Sequence, residues 1–205
     1  MMNKNLLKFG NHKLPDDIAI WVLPEVKTCP GATDYCKLIC YALKPVKQYG
    51  VHISDSREKN FKISQNVNFA LLMNSEIKRI TKRRKLRAIR IHEAGDFYNQ
   101  QYLDKWKLIA FQNPSIRFFT YTRSQLDFRE RPENFTVFYS TDHTTIHPPP
   151  LGVDNTAEMV LGQLFADLDS KFCWRYELNK GGTCRECNYC YDGKDEVKKV
   201  TFFKH

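Results

Sequence analysis

The sequence predicts an α/β fold: an incomplete, TIM-like barrel of parallel strands with a small cysteine-rich, metal-binding C-terminal tail. Apolar runs of strand length alternate with helical stripes, and right-handed crossovers turn that order into a parallel sheet. The 205 residues are too few for eight strand-helix units. Seven cysteines fall into two tight groups, one near each end of the chain.

The segment "DIAIWVL" (17–23) alternates and then runs apolar, as a strand that stops at Pro24. From Gln65 to about Arg83, Phe69, Met73, Ile77 and Ile80 recur at three- and four-residue steps, the stripe of an amphipathic helix. A second strand, "LRAIRIH" (86–92), follows. In "YLDKWKLIAF" (102–111), Tyr102, Leu103, Trp106, Ile109 and Ala110 share one helical face, and Asn113-Pro114 stops the helix before the strand "IRFFTYT" (116–122). "FTVFYST" (135–141) is a fourth strand. "HPPPLG" (147–152) reads as a stiff turn or linker, which assigns residues 1–152 to the barrel-like domain and 153–205 to a tail packed on it.

With 42 % hydrophobic and 13 % aromatic residues, the chain can bury one sizeable core. The first residues lack the apolar region of a signal peptide, and no eighteen apolar residues run together. The expectation is a cytoplasmic protein with no membrane partner. In a reducing compartment an odd number of clustered cysteines points to metal rather than disulfides.

The net charge of +9 and the pI near 9.2 point to a polyanionic partner, nucleic acid or a nucleotide. Much of the charge is local: Lys78, Arg79, Lys82, Arg83, Arg84 and Lys85 lie at the end of the first helix and the start of the second strand. Two readings stand side by side, a phosphate-binding patch and a cationic last turn that complements the helix dipole.

Cys173 precedes Cys184, Cys187 and Cys190, the last three in C-x2-C-x2-C spacing just after Gly181 and Gly182. Four thiolates at such steps complete a tetrahedral zinc site or hold a four-iron cluster. Cys29, Cys36 and Cys40 form C-x6-C-x3-C with no fourth ligand nearby in sequence. Three cysteines on a 4Fe-4S cubane leave one iron open to substrate. The competing arrangement pools all seven thiols, or pairs the front three with one tail thiol, and closes every position.

Together, "TCPGATDYCKLICYA", "IRIHEAGDFYNQQYLDKW", "FFTYTRS" and "TCRECNYCY" resemble a family of phage- and plasmid-borne cysteine-rich proteins named only for a phage gene product. The resemblance covers roughly residues 8 to 191 and implies no particular reaction. More distantly, the layout is similar to radical S-adenosylmethionine enzymes, in which a three-cysteine loop after the first strand holds a four-iron cluster whose open iron takes the cofactor. That similarity implies cofactor contacts at Gly95 and Asp96 of "EAGDF", at Thr122, Arg123 and Ser124, and at Ser140 and Asp142. It also implies catalytic roles for His92, Glu93 and Asp96, and an auxiliary cluster in the tail. The front spacing departs from the usual C-x3-C-x2-C, and the acidic turn from the common Gly-Gly-Glu form.

Each polar residue also has a structural reading. Asp96 suits the cap of a helix starting near Tyr98. Arg123 suits a partner for the acids of "DFRERPE", and His92, His143 and His147 suit ordinary surface or core positions. Three functional expectations follow: an iron-sulfur enzyme acting on nucleic acid or a nucleotide, a metal-stapled binding module for host nucleic acid or a host protein, and a two-cluster redox protein.

Overall fold

The computed structural model describes residues 5–11, 14–160, 171–173, 184–187, 189–192 and 199–203. Its strands are β1 (Lys8–Phe9), β2 (Ile18–Trp21), β3 (Ala88–Ile91), β4 (Arg117–Thr122), β5 (Phe135–Thr141), β6 (Asn155–Val160), β7 (Lys171–Phe172) and β8 (Lys199–Phe203). The helices are α1 (Asp34–Leu38), α2 (Leu43–Tyr49), α3 (Val51–Gln65), α4 (Phe69–Thr81), α5 (Gln100–Phe111), α6 (Cys184–Cys187) and α7 (Tyr189–Asp192).

The strands make one sheet in the order β1-β2-β3-β4-β5-β6-β8-β7. β1 is antiparallel to β2, and the other pairings are parallel. Trp21 is level with Ile91, Ile91 with Thr120, and Thr120 with Val137, so the C-terminal ends of β2 to β5 lie on one side, β4 running on to Thr122 and β5 to Thr141. Among the described residues the edge strands β1 and β7 do not pair, and the sheet is open rather than a closed barrel.

One face carries Ala19, Trp21, Ile89, Ile91, Phe118, Phe135 and Val137, packed with the apolar residues of α4 and α5. The helical stripes expected from the sequence are those buried here, Phe69, Met73, Ile77 and Ile80 from α4 and Tyr102, Leu103, Trp106, Ile109 and Ala110 from α5. Trp106 lies against Trp21 and Phe69 at centroid distances of 6.2 and 5.6 Å, within the range of favourable ring contacts. Asn134 closes the C-terminal end of α5, its side-chain amide reaching the carbonyls of Ala110 and Ile116 at 3.0 and 2.9 Å.

The opposite face carries Ile18, Ile20, Phe119, Phe138, Ala157 and Val200, and on it pack Tyr189 and Tyr191 of α7 and the tail cysteines. Strands from both sides of residue 152 share this sheet. β6 continues directly from β5, with Phe138 opposite Asn155, and β8 continues from β6. The proline segment folds back, Phe128 N donating to Leu151 O at 2.9 Å. The described tail residues are part of the main sheet and fill one of its faces.

Candidate functional site

The front cysteines lie in the loop after β2, and small residues press that loop onto the neighbouring strand ends. Gly95 has φ +81°, and a Cβ there would fall 2.5 Å from Leu23 Cβ and 2.6 Å from Thr28 Oγ1. A Cβ on Gly31 would fall 1.9 Å from the Arg123 carbonyl oxygen. Glycine at both positions therefore lets three chain segments touch. Thr28 Oγ1 donates to Pro24 O at 2.6 Å, and the Tyr41 hydroxyl donates to the Glu93 carbonyl.

Thr33 caps α1 by accepting from Cys36 N at 3.0 Å, and its hydroxyl donates to Asp142 Oδ2 at 2.9 Å. Asp142 pairs with Arg123 at 2.9 Å, with side chains 0 % and 10 % exposed. The thiol-bearing helix is thus tied to the ends of β4 and β5. Burial opposes the charge on Asp142, but hydrogen bonds from Thr144, the Arg123 guanidinium and the Thr33 hydroxyl hold its carboxyl below the usual range.

Asp96 is buried at the end of β3 and accepts from Phe97 N at 2.7 Å, Thr122 Oγ1 at 2.7 Å and Arg123 N at 2.8 Å. Burial pushes it up to about 6 against these bonds. Its field reaches the thiols: Cys29 is pushed up to about 12 by burial and then by Asp96, with Cys36 and Cys40 adding smaller effects. Burial also raises Cys36, opposed by Arg123 and reinforced by Cys40, Asp142 and Asp96. Cys29, Cys36, Cys40, Asp96, Arg123 and Asp142 therefore share one electrostatic neighbourhood at the strand ends.

Other expected residues lie elsewhere. His92 (φ +66°) is buried against Phe97 and Tyr102, and its Nε2 lies 3.0 Å from Tyr102 Oη. Burial depresses it to about 3, so the ring is a neutral core group. Glu93 turns to the β1 edge, bonded to Lys8 and Asn11. Ser124 donates to Phe97 O at 2.6 Å. Ser140 is half-buried on β5, level with Ala157 on β6. Asp96 does not cap α5; Asn99 does, accepting from Tyr102 N at 2.9 Å. Arg123 pairs with Asp142 rather than with the acids of 127–133.

The tail thiols gather on the sheet face, apart from the strand ends. Cys184 and Cys190 pack with Ile18, Ile20, Phe119 and Tyr191, while Cys173, Cys187 and Cys190 pack with Phe138, Ala157, Tyr189 and Val200. Tyr121 donates from its phenol to Cys190 Sγ at 2.7 Å. Burial raises Cys190 to about 12, and Cys173, Cys187 and Cys184 each add to the rise. Gly181 and Gly182 lie outside the described residues.

All seven cysteines are free thiols. A preformed single-ion centre is not found: among the described residues no three His, Cys, Asp or Glu side chains are grouped closely enough to hold a metal ion. Cys29 and Cys190, both pushed up to about 12 by burial, pack as small apolar groups. Thr33, Gly31, Tyr41 and Tyr121 escaped the sequence reading. Thr33 followed by the acidic Asp34, after a proline-glycine turn, was the available sign of a helix cap.

The basic run stands at the opposite end of the strands. α4 enters β3 from its N-terminal side, and Leu86 to His92 spans roughly 20 Å of extended chain. Arg79 is held by Glu76 at 2.8 and 2.9 Å, and Arg84 lies over Phe9 at 4.1 Å. The exposed cations do not border the front thiols.

A family model described as Gene product 88 matches residues 3–193. The chain belongs to the gene product 88 family. The chain is similar to the Gene 88 protein of Mycobacterium phage L5, 24 % identical over 193 residues covering 83 % of this chain and 80 % of the relative. It is also similar to the Gene 88 protein of Mycobacterium phage D29, 24 % identical over 202 residues with the same coverage of 83 % and 80 %. No solved structure matches it. Gene product 88 membership accords with the expected phage family, and these matches carry no link to radical S-adenosylmethionine enzymes. No helix among the described residues is long and apolar enough to cross a membrane.

Proposed function

We propose that this gene product 88 protein is an iron-sulfur protein in which Cys29, Cys36 and Cys40 hold a 4Fe-4S cluster with one iron open to S-adenosylmethionine. The observation that carries the reading is the grouping of these thiols with Asp96 and the Arg123–Asp142 pair at the ends of parallel strands, where ligands of α/β folds collect. A cubane binds each thiolate on a separate iron, so its ligands need not crowd into one ion's shell. When bound, such a cluster supplies an electron; the chain's own residues orient and exclude water.

Asp96 accepts three hydrogen bonds of about four that a carboxylate takes. The remaining site suits a cofactor ammonium, and Arg123, paired with Asp142, is the cation of this group for a carboxylate. The tail thiols support a second, auxiliary cluster, with zinc as the alternative. Their apolar packing, away from the strand ends, favours a stapling role there.

Electron paramagnetic resonance of anaerobically reduced protein, before and after S-adenosylmethionine, tests this. A cluster signal that shifts on addition supports the open iron. A cluster indifferent to the cofactor removes the radical-enzyme reading, and zinc alone removes the iron-sulfur one and leaves a metal-stapled binding module.

A further inference from the structure

Arg90 sits within β3, level with Ile20 on β2 and Phe119 on β4. Side-chain alternation puts it on the face of Ala88, Ile20 and Phe119, against which Cys184 and Cys190 pack. The residue is half-buried, and its guanidinium carbon lies 5.6 Å from the centroid of the Tyr121 ring. The hydroxyl of that ring donates to Cys190 Sγ at 2.7 Å, so a single ring spans the cation and the sulfur. The geometry points to Arg90 as the charge-balancing residue of a metal centre held by Cys173, Cys184, Cys187 and Cys190. This role rests on the tail centre proposed above and names the side chain that favours its loaded state.

An arginine set among apolar side chains on a central strand is costly unless anions and acceptors face it. Four thiols carry no charge, whereas four thiolates leave two net negative charges on either a zinc ion or an oxidised four-iron cubane. Loading the tail with either one therefore brings an anion to the Tyr121 side of the guanidinium. The field of Arg90 reaches the Tyr121 hydroxyl, and the sulfur bonded to that hydroxyl is the next atom along. The other guanidinium against a tail ring is Arg87, 4.8 Å from Tyr191, and it is already paired with Asp17 at 3.3 Å. Glu93 also feels the charge of Arg90, but its carboxylate is bonded to Lys8 and Asn11.

Cobalt(II) titration of the full chain with Cys29, Cys36 and Cys40 changed to Ser tests this, because the thiolate charge-transfer bands then report the tail alone. In that background Arg90→Met should weaken cobalt affinity roughly tenfold, the effect of losing one unit charge at this range. Arg90→Gln, which keeps a polar head without the charge, should lose as much and serves if Met disturbs the strand. Arg90→Lys restores the charge and should bind within about threefold of the starting chain, as should Arg87→Met, whose charge is spent on Asp17. Unchanged affinity in Arg90→Gln, a Lys variant as weak as the Gln variant, or an equal loss in Arg87→Met overturns the inference alone. A starting chain that develops no cobalt-thiolate bands overturns it together with the tail centre.

Discussion

The Tyr121 phenol donates a hydrogen bond of 2.7 Å to Cys190 Sγ. It joins a central strand to the tail cysteines across the filled face of the sheet, and it makes Tyr121 more than a core aromatic. Hydrogen bonds to cluster sulfurs stabilise the reduced, more negative state. On the proposed auxiliary cluster, Tyr121→Phe should therefore leave assembly intact but lower the midpoint potential in an anaerobic redox titration. In the metal-free protein the same change should cost about 1 kcal/mol in urea denaturation.

The Arg123–Asp142 pair should carry more stability than any surface pair. Asp142→Ala leaves a nearly buried guanidinium uncompensated and should destabilise by about 3 to 5 kcal/mol. Thr33→Ala, which removes a helix cap and one bond to Asp142, should cost about 1 kcal/mol. In a double-mutant cycle the two effects should fall short of additivity, because Asp142 is a partner in both.

Gly31→Ala should displace the front loop without unfolding the sheet. Its Cβ would meet the Arg123 backbone carbonyl at 1.9 Å, and a strand-end carbonyl cannot swing away as a side-chain tip can. Cys29, Cys36 and Cys40 should then react faster with a thiol reagent, while Cys190, under Tyr121, keeps its slow rate. Mass mapping of the modified cysteines reads this directly.

Acid should weaken the fold through His92. Its folded value of about 3 lies below the ordinary 6.5 because burial penalises the charged ring, so the unfolded chain binds the extra proton first. The contribution is full above pH 6.5 and is lost as pH falls toward 3, on the order of 5 kcal/mol in all. Asp96, raised to about 6 by burial, acts oppositely, its protonation favouring the folded state as pH falls from 6 toward 4. His92→Asn tolerates the positive φ, and its stability should fall less on acidification than that of the parent. Asp96 cancels in that difference, which denaturation curves at several pH values would measure.

The parts of the fold legible in the sequence are those whose burial is one-sided and apolar. α5 and β2 to β5 lie close to their expected positions because Trp106, Phe118 and their neighbours repeat at helical or strand period. α3 left no such trace, since its buried residues are Arg57, Asn60 and Ser64, whose places are set by contacts with distant partners such as Val22 O. The helix expected from Gln65 starts instead at Phe69, after Asn66 ends α3. The continuation of the sheet through β6 and β8 was hidden because cysteine spacing dominated the reading of that segment. At the site, Asp96, Arg123 and Asp142 were legible from their positions after strands, whereas His92 and Glu93, equally polar and adjacent, turn into the core and to the sheet edge. Neighbours in sequence leave a strand end in different directions, and only the three-dimensional course decides which ones meet the thiols.

The most direct measurement is iron, sulfide and zinc per chain after anaerobic purification, made on the parent and on a variant with Cys29, Cys36 and Cys40 all changed to Ser. The expected result is iron with matching sulfide in the parent, and in the variant loss of the front cluster with whatever metal the four tail thiols hold retained. Zinc without sulfide in the parent, or loss of all metal on changing the front thiols alone, would contradict a front cluster built by three cysteines.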